Sequence, residues 1–320
     1  LRVAGATWRR GTIEFFFWLA MLIPLRYNLL KGKKMLNKFS TRKCVLTLLV
    51  LLQVFFLDAA KTILWDMGGV LFKPDTLAIS YYELGWTDYA KYIVFDQKNP
   101  YRIKDLLFED LLFRLNNKAG EQSVIAYLPD GSLMPPIMMD WLKGKITGQE
   151  IVKMLFDLIA ELDKDRYFAS EHERTMLEKM VKVVFDPHVL GKYTKSVSAG
   201  VELLTSCTKN GCTNIIISNW DPVSFSILAR SSSGRKVLRL FDPNNIFISG
   251  LHGMIKPDPV VFKRAIELYN LNPSECFFID DQIENIKAAE SVGIRGYWLD
   301  KGDYKGLKRA LIKEGFLPAH

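Results

Sequence analysis

Three short apolar runs without polar alternation stand out along the chain, and each is closed by polar residues of a particular kind. "KTILWD" ends at Asp66, "CTNIIISN" at Ser218 and Asn219, and "ECFFIDD" at Asp280 and Asp281. Runs this short, rich in β-formers, predict strands buried on both faces, as in a parallel sheet covered by helices. A fourth run, "IRGYWLD", ends near Asp300. Between the runs the apolar positions recur at helical spacing. "SVSAGVELLTSCTKNG" carries a glycine stop, "DPVVFKRAIELYN" has Pro259 in its first turn, and "QIENIKAAESVG" ends at Gly293. Strand–helix–strand alternation predicts an α/β fold, a Rossmann-like doubly wound parallel sheet, whose ligands gather at the carboxyl ends of the strands. The polar residues named above all sit at such ends.

The interval 77–190 is not needed by this sheet. Its stretches "LAISYYELGW", "IKDLLFEDLLFRLNN", "MMDWLKGKITGQEIVKMLFDLIAELD" and "EHERTMLEKMVKVV" are helix-like. They predict a helical cap domain over 77–190, inserted into a core made of 61–76 and 191–320. Linkers are expected near 73–77 and 185–197. Aromatics of the insert (Tyr81, Tyr82, Trp86, Tyr89, Tyr92) recur at helical spacings and are expected in the cap's own core.

The net charge of +8 changes the picture only at the start of the chain. Residues 1–60 hold ten Lys or Arg and two acids, so the remainder is balanced, with 33 of each. This excludes a basic nucleic-acid-binding body. From Met35, Lys38, Arg42 and Lys43 precede the apolar stretch Val45 to Leu57, and "LDAA" follows. That is the pattern of a signal peptide over 35–60, cleaved near Ala60, with 1–34 an upstream segment ahead of the start. The protein is therefore expected to be exported, the alternative being an anchor that touches membrane only through this leader. Cys207 and Cys212 flank a turn and could pair in an oxidising compartment; the competing reading makes them, with Cys276, small buried hydrophobes. No feature signals an oligomer.

Taken singly, the strand-end residues are ordinary turn and cap residues. Taken in order, with Lys256 in "GMIKPDPVVF", they suit phosphoryl transfer to a carboxylate. Asp66 is the candidate nucleophile. Lys256 relieves the repulsion between two anions. Asp280 and Asp281, with Asp66, offer hard oxygen ligands to Mg²⁺. The Ser218 hydroxyl and nearby backbone N–H groups suit phosphate oxygens. Gly68 and Gly69 let main chain approach closely. Trp220 and Asp221 are candidate lining residues, though Asp221 equally suits a helix cap.

The motifs "ILWDMGGVLF", "IIISN", "MIKPDPVVF" and "FFIDDQIENIKAAESVGI" resemble those of the haloacid dehalogenase-like hydrolase superfamily over about residues 61–300. The resemblance implies a Rossmann-like core with a mobile helical cap. It also implies a Mg²⁺-dependent phosphatase acting on a small phosphorylated metabolite through an aspartyl-phosphate. The wording of the insert is similar to the sugar-phosphatase branch. By the same resemblance the catalytic residues are Asp66 and Lys256, and phosphate binding falls to Ser218, Asn219, Gly69 and Lys256. The metal is implied to sit on Asp66, the Gly68 carbonyl, Asp280 and Asp281. One departure matters: most phosphatases of the superfamily place a second Asp, a general acid–base, where this chain has Gly68. Such help is worth about 10²–10⁴-fold. Either the leaving group needs little protonation, or another group such as Asp75 substitutes, or catalysis is weak and the protein serves binding. A dehalogenase using the same Asp66 is a further alternative.

Overall fold

A computed structural model of the chain describes residues 61–88, 91 and 107–319. The expected leader over 1–60 lies outside the described residues, as do Tyr89 and Tyr92. Among the described residues no helix is long and apolar enough to cross a membrane.

The apolar runs form the sheet they predict. β1 (Thr62–Trp65), β4 (Thr213–Ser218), β5 (Ile246–Ile248), β6 (Cys276–Asp280) and β7 (Arg295–Trp298) make one five-stranded sheet in the order β5-β4-β1-β6-β7. All its pairs are parallel. β1 is central, and the chain leaves it to build one flank through β4 and the other through β6. Side chains alternate across the sheet. Ile63, Trp65, Ile216, Phe277 and Ile279 pack into one core layer. Leu64, Ile215, Ile217 and Phe278 pack into the other, against Val261 and Phe262 of the helix Pro259–Leu268. Both faces are covered, which is why the strands read as continuous apolar runs rather than alternating ones.

The sequence expectation missed several elements. The two linkers are themselves strands: β2 (Phe72–Pro74) and β3 (Thr194–Ser196) pair antiparallel, with Pro74 opposite Thr194. The second linker also holds a helix, Pro187–Tyr193, capped by Asp186. The stretch "MMDWLKGKITGQEIVKMLFDLIAELD" is two helices. α1 (Pro136–Leu142) stops where Gly144 turns into the left-handed region at φ 71°, and α2 (Gly148–Lys164) starts from a Thr147–Glu150 capping box. Helix Ser232–Leu238, strand β5 and the helix Tyr304–Lys313 were also not foreseen, whereas helix Pro222–Arg230 follows the cap expected at Asp221.

The helical insert has a core of its own, built on Leu111, Ile151, Leu155, Ile159, Leu177, Val181 and Phe185. The aromatics Tyr81, Tyr82 and Trp86 are not in it; they are more than 60 % exposed. The helix that bears them takes a π wind over Ile79–Gly85, and that wider turn breaks the 3.6-residue spacing on which the expectation rested. A small satellite cluster joins Ala126, Met134 and Met139 of the insert to Ile255, the residue before Lys256. Cys207, Cys212 and Cys276 are free thiols, Cys207 and Cys276 buried.

Candidate active site

Strand register builds the site. Trp65 of β1 lies opposite Ile216 of β4 and Ile279 of β6. One step further along each strand come Asp66, Ile217 and Asp280, and the Asp66 N–H still donates to the Ile279 carbonyl at 2.9 Å. Two carboxylates and one carbonyl therefore converge at the carboxyl edge of the sheet. Lys256 enters that space from the loop before the helix Pro259–Leu268. Its Nζ donates to Asp66 Oδ1 (2.6 Å), Asp280 Oδ2 (2.6 Å) and the Ile217 carbonyl (3.0 Å). All three ammonium hydrogens are used. The Phe278 ring lies 5.1 Å away, and Lys256 is 2 % exposed.

The lysine is held there by Asn219. The Asn219 Oδ1 accepts from the Lys256 N–H (2.8 Å) and its Nδ2 donates to the Lys256 carbonyl (2.9 Å). Asn219 lines the cavity, and this side chain clamps the loop that carries the charge. Ser218, buried as the last residue of β4, lies beside the Asp66 carboxylate and favours its ionised form.

Asp280 is fully buried and well supplied with donors. Its Oδ1 accepts from the Gln282 N–H (2.8 Å) and from Asn285 Nδ2 (3.0 Å), and Oδ2 lies 3.1 Å from the same Nδ2. Asp281 faces the other way, toward the glycine turn after β1. At Gly69, φ is 68° and an added Cβ would lie 2.1 Å from Asp281 Oδ2. Gly69 thus clears the space that the Asp281 carboxylate occupies. Tyr304 holds the turn through its hydroxyl, which donates to the Val70 carbonyl (2.6 Å), with the Gly69 carbonyl at 3.2 Å. Trp298 Nε1 donates to the Asp281 carbonyl at 3.0 Å.

The electrostatics follow. Burial lifts the Asp66 carboxyl to about 6, against the pull of Lys256 and with the push of Asp280. Burial, then the Asp66 and Asp280 charges, raise Asp281 to about 7. Burial pulls Lys256 down, but Asp280 and Asp66 outweigh it and hold the ammonium above its ordinary value. Ligand oxygens of Asp66, Asp280 and Asp281 all lie within 4.8 Å of one another. Three carboxylates face one ammonium, so two negative charges are unbalanced, and Asn285 Oδ1 beside them is buried without a hydrogen-bond partner. Hard oxygen donors with a net charge of minus two suit a divalent cation such as Mg²⁺.

A cavity of about 350 Å³ opens over this floor. Asp66, Gly68, Gly69, Ser218, Asn219, Trp220, Lys256 and Asp281 all line it, so the predicted residues are brought together apart from Asp280, which lies beneath as a support. One other candidate is corrected, and Asp221 takes the second of its two expected roles. Asp75 does not line the cavity. It caps the turn at Thr76 and pairs with Lys195, whose hydrogen bond holds its carboxyl below the usual carboxylate range. An acid kept ionised in this way cannot protonate a leaving group. Asp221 is the cap of the helix Pro222–Arg230, accepting from the Val223 and Ser224 N–H groups. Asn285, Tyr304 and Trp298 were not foreseen. Asn285 lies inside the quoted motif "FFIDDQIENIKAAESVGI", in the first turn of the helix Ile283–Glu290, where its carboxamide reaches back to Asp280.

The family described as haloacid dehalogenase-like hydrolase matches residues 60–293. The chain belongs to that family. Among curated proteins, this haloacid dehalogenase-like hydrolase is 29% identical over 119 residues to a glyceraldehyde 3-phosphate phosphatase of Pyrococcus furiosus, covering 36% of this chain and 46% of that protein. It is 26% identical over 247 residues to acyl-CoA dehydrogenase family member 10 of Mus musculus, covering 75% of this chain and 18% of that protein. The chain thus spans less than half the length of these two relatives. A solved HAD family enzyme from Bacteroides thetaiotaomicron is similar at 19% identity and a TM-score of 0.47, over 78% of this chain and 98% of that one.

Proposed function

We propose that this hydrolase is a Mg²⁺-dependent phosphatase that opens a phosphomonoester through an aspartyl-phosphate on Asp66. The observation that carries the reading is the convergence of Asp66, Asp280 and Asp281 with a single buried lysine at the carboxyl edge of a parallel sheet. A relative named as a phosphatase supports it.

The residues divide the work. Asp66 is fixed through Oδ1 by Lys256, while Oδ2 lies on the side of Gly68, 3.7 Å from where a Cβ would stand. That oxygen is the nucleophile, and the phosphorus–oxygen bond to the leaving group breaks as the new bond forms. Lys256 places positive charge between the attacking carboxylate and Asp280. Ser218 and the backbone at Gly68 offer donors for phosphate oxygens, whereas the Gly69 N–H already donates to the Phe72 carbonyl at 2.9 Å, so Gly69 serves by leaving space rather than by donating. Asp66, Asp281 and the Gly68 carbonyl would hold the cation, with the Asp280 carboxylate beneath adding negative charge, and the cation when bound would neutralise charge on the phosphate. Water then attacks the aspartyl-phosphate and releases orthophosphate, restoring Asp66.

Displacement of halide by the same Asp66 uses no cation and leaves the unbalanced charge of Asp280 and Asp281 without a role. A purely binding role leaves Asp66 raised toward neutral pH and aimed into a cavity with no reaction to perform. The test is hydrolysis of a panel of phosphate esters by the purified chain, with and without Mg²⁺. Release of phosphate that requires Mg²⁺ and is lost in Asp66→Asn is expected. Equal turnover by Asp66→Asn removes the nucleophile assignment.

A further inference from the structure

The cavity over the carboxylates is two-faced. Its floor is polar. Its roof comes from the helical insert, and every described residue that the insert contributes to the lining is apolar: Leu128, Pro129, Met134, Met138, Leu142 and Leu190. Leu128 and Met134 arrive on a tight turn in which the Leu128 N–H donates to Ser132 and the Met134 N–H to Ala126, so their backbone donors are already used. Phe72, itself buried in the core, and Trp220 add to the apolar lining. Thr194 also lines the cavity, but its hydroxyl donates to the Leu190 carbonyl at 2.6 Å. A polyhydroxylated leaving group would be stripped of water against this roof with few partners for its hydroxyls, at a cost for each one left unmade.

A second, independent constraint comes from the floor. The titratable side chains among the described lining residues are Asp66, Lys73, Lys256 and Asp281. Lys256 is paired with Asp66 and Asp280, Asp281 lies with Asp66 in the carboxylate group that would hold the cation, and Lys73 is an exposed residue of β2. Gly68 supplies no acid. With Asp281 given to the cation and no carboxyl at position 68, the lining favours a leaving group that departs with its electron pair and without a proton. A phenol does so far more easily than an alcohol: a phenolic hydroxyl such as that of tyrosine ionises at about 10, well below an aliphatic hydroxyl.

We propose that the site takes a phosphomonoester of an apolar aromatic alcohol, an aryl phosphate, with its ring against the roof formed by Leu128, Met134, Met138 and Leu142. This rests on the phosphatase reading above and narrows its substrate, away from the sugar phosphates that the wording of the insert suggested. In the step, the Asp66 oxygen bonds to phosphorus and the bond from phosphorus to the aryl oxygen breaks. The pair stays on that oxygen as phenolate, which later takes a proton from bulk water. The ring stacks against thioether and aliphatic carbon, contacts that favour aromatic groups.

Two measurements on the full chain with Mg²⁺ separate this proposal from the reading beneath it. The first is calorimetric binding of phosphonates, which cannot be hydrolysed: naphthylmethylphosphonate, methylphosphonate and a glucose-derived phosphonate. The naphthyl compound is expected to bind about ten-fold tighter than methylphosphonate, and the sugar compound no tighter. Leu128→Gln and, separately, Met138→Gln should each narrow that gap. A sugar phosphonate that binds more tightly than the naphthyl one overturns the proposal, whether or not any ester is hydrolysed. The second is kcat/KM across ring-substituted phenyl phosphates. A steep rise as the phenol becomes more acidic is expected, and a flat series overturns the proposal by revealing an acid. Lys73→Met identifies it: if the lysine protonates the leaving oxygen, its loss turns a flat series steep. Absence of turnover with every ester, alongside the expected binding order, removes the phosphatase reading and leaves the aromatic specificity of the pocket standing.

Discussion

Asn219 grips the main chain of Lys256 from both sides, its Oδ1 on the N–H at 2.8 Å and its Nδ2 on the carbonyl at 2.9 Å. The two residues are 37 apart along the chain, and among the described residues no other hydrogen bond holds the Lys256 N–H or carbonyl. Asn219→Ala should lower kcat by about 10- to 100-fold, because a small displacement of a positioning group is amplified at the reacting centre. Asn219→Asp keeps the acceptor for the Lys256 N–H and should fall between. Steady-state kinetics at saturating Mg²⁺ test this; unchanged kcat in Asn219→Ala would show that Lys256 is held by other means.

Lys256 lies between two buried carboxylates, and removing it strands both. Lys256→Met should reduce the unfolding free energy of the metal-free protein by about 3–5 kcal/mol, the usual consequence of breaking a buried pair. Adding Asp66→Asn and Asp280→Asn to the same chain should recover part of that loss, because the groups act as one network. Urea denaturation at pH 7.5 measures both. A Lys256→Met protein as stable as the parent would mean that these carboxylates do not depend on the lysine.

The raised carboxyls give stability a direction with pH. Asp66 at about 6 and Asp281 at about 7 both exceed the ordinary 3.8, so between about pH 4 and 7 the folded protein binds more protons than the unfolded one. Their contribution to the metal-free protein is therefore full below that window and is lost as pH rises through it. Mg²⁺ requires the deprotonated groups, so its stabilising effect should run the other way, growing from pH 5 to pH 8 and reaching about 2.7 kcal/mol at a hundred times its Kd. Asp281→Asn should flatten both trends. Thermal denaturation with and without Mg²⁺ is the measurement. An equal Mg²⁺ effect at both pH values would place the cation elsewhere.

Gly68 tests the missing acid directly. It lines the cavity, its φ is not in the left-handed region, and an added Cβ would meet only Asp66 Oδ2, at an ordinary 3.7 Å. Gly68→Asp should therefore fold normally. It should raise kcat/KM for esters of aliphatic alcohols by about 10²-fold relative to aryl esters, the lower end of what general acid–base help supplies. An unchanged ratio would mean that protonation of the leaving group does not limit this enzyme.

The site was legible in the sequence wherever one strand end carries one functional residue. Asp66, Ser218 and Asp280 close β1, β4 and β6, and the buried character of those strands shows in their unbroken apolar runs. What escaped was held by pairings across distance. The clamp of Asn219 on Lys256 and the support of the glycine turn by Tyr304 depend on register and loop path, which local pattern does not encode; the reach of Asn285 to Asp280 is local, but only the strand–helix turn brings the two together. The strands β2 and β3 are three residues each and carry almost no period, so they read as linkers. Asp75 shows the reverse error. As an acid near the nucleophile in sequence it invited a catalytic role, but the antiparallel ribbon turns it toward Lys195 and away from the cavity.

The central claim is that the Asp66 carboxylate itself becomes phosphorylated. Quenching turnover of an aryl phosphate in acid within milliseconds, then mapping the phosphoryl group by mass spectrometry of the peptides, tests it most directly. The account predicts a hydroxylamine-sensitive phosphate on the peptide that contains Asp66, formed only with Mg²⁺ and absent from Asp66→Asn. Phosphate on a different residue, or rapid turnover with no labelled peptide when hydrolysis of the intermediate is slowed by cooling, would contradict it.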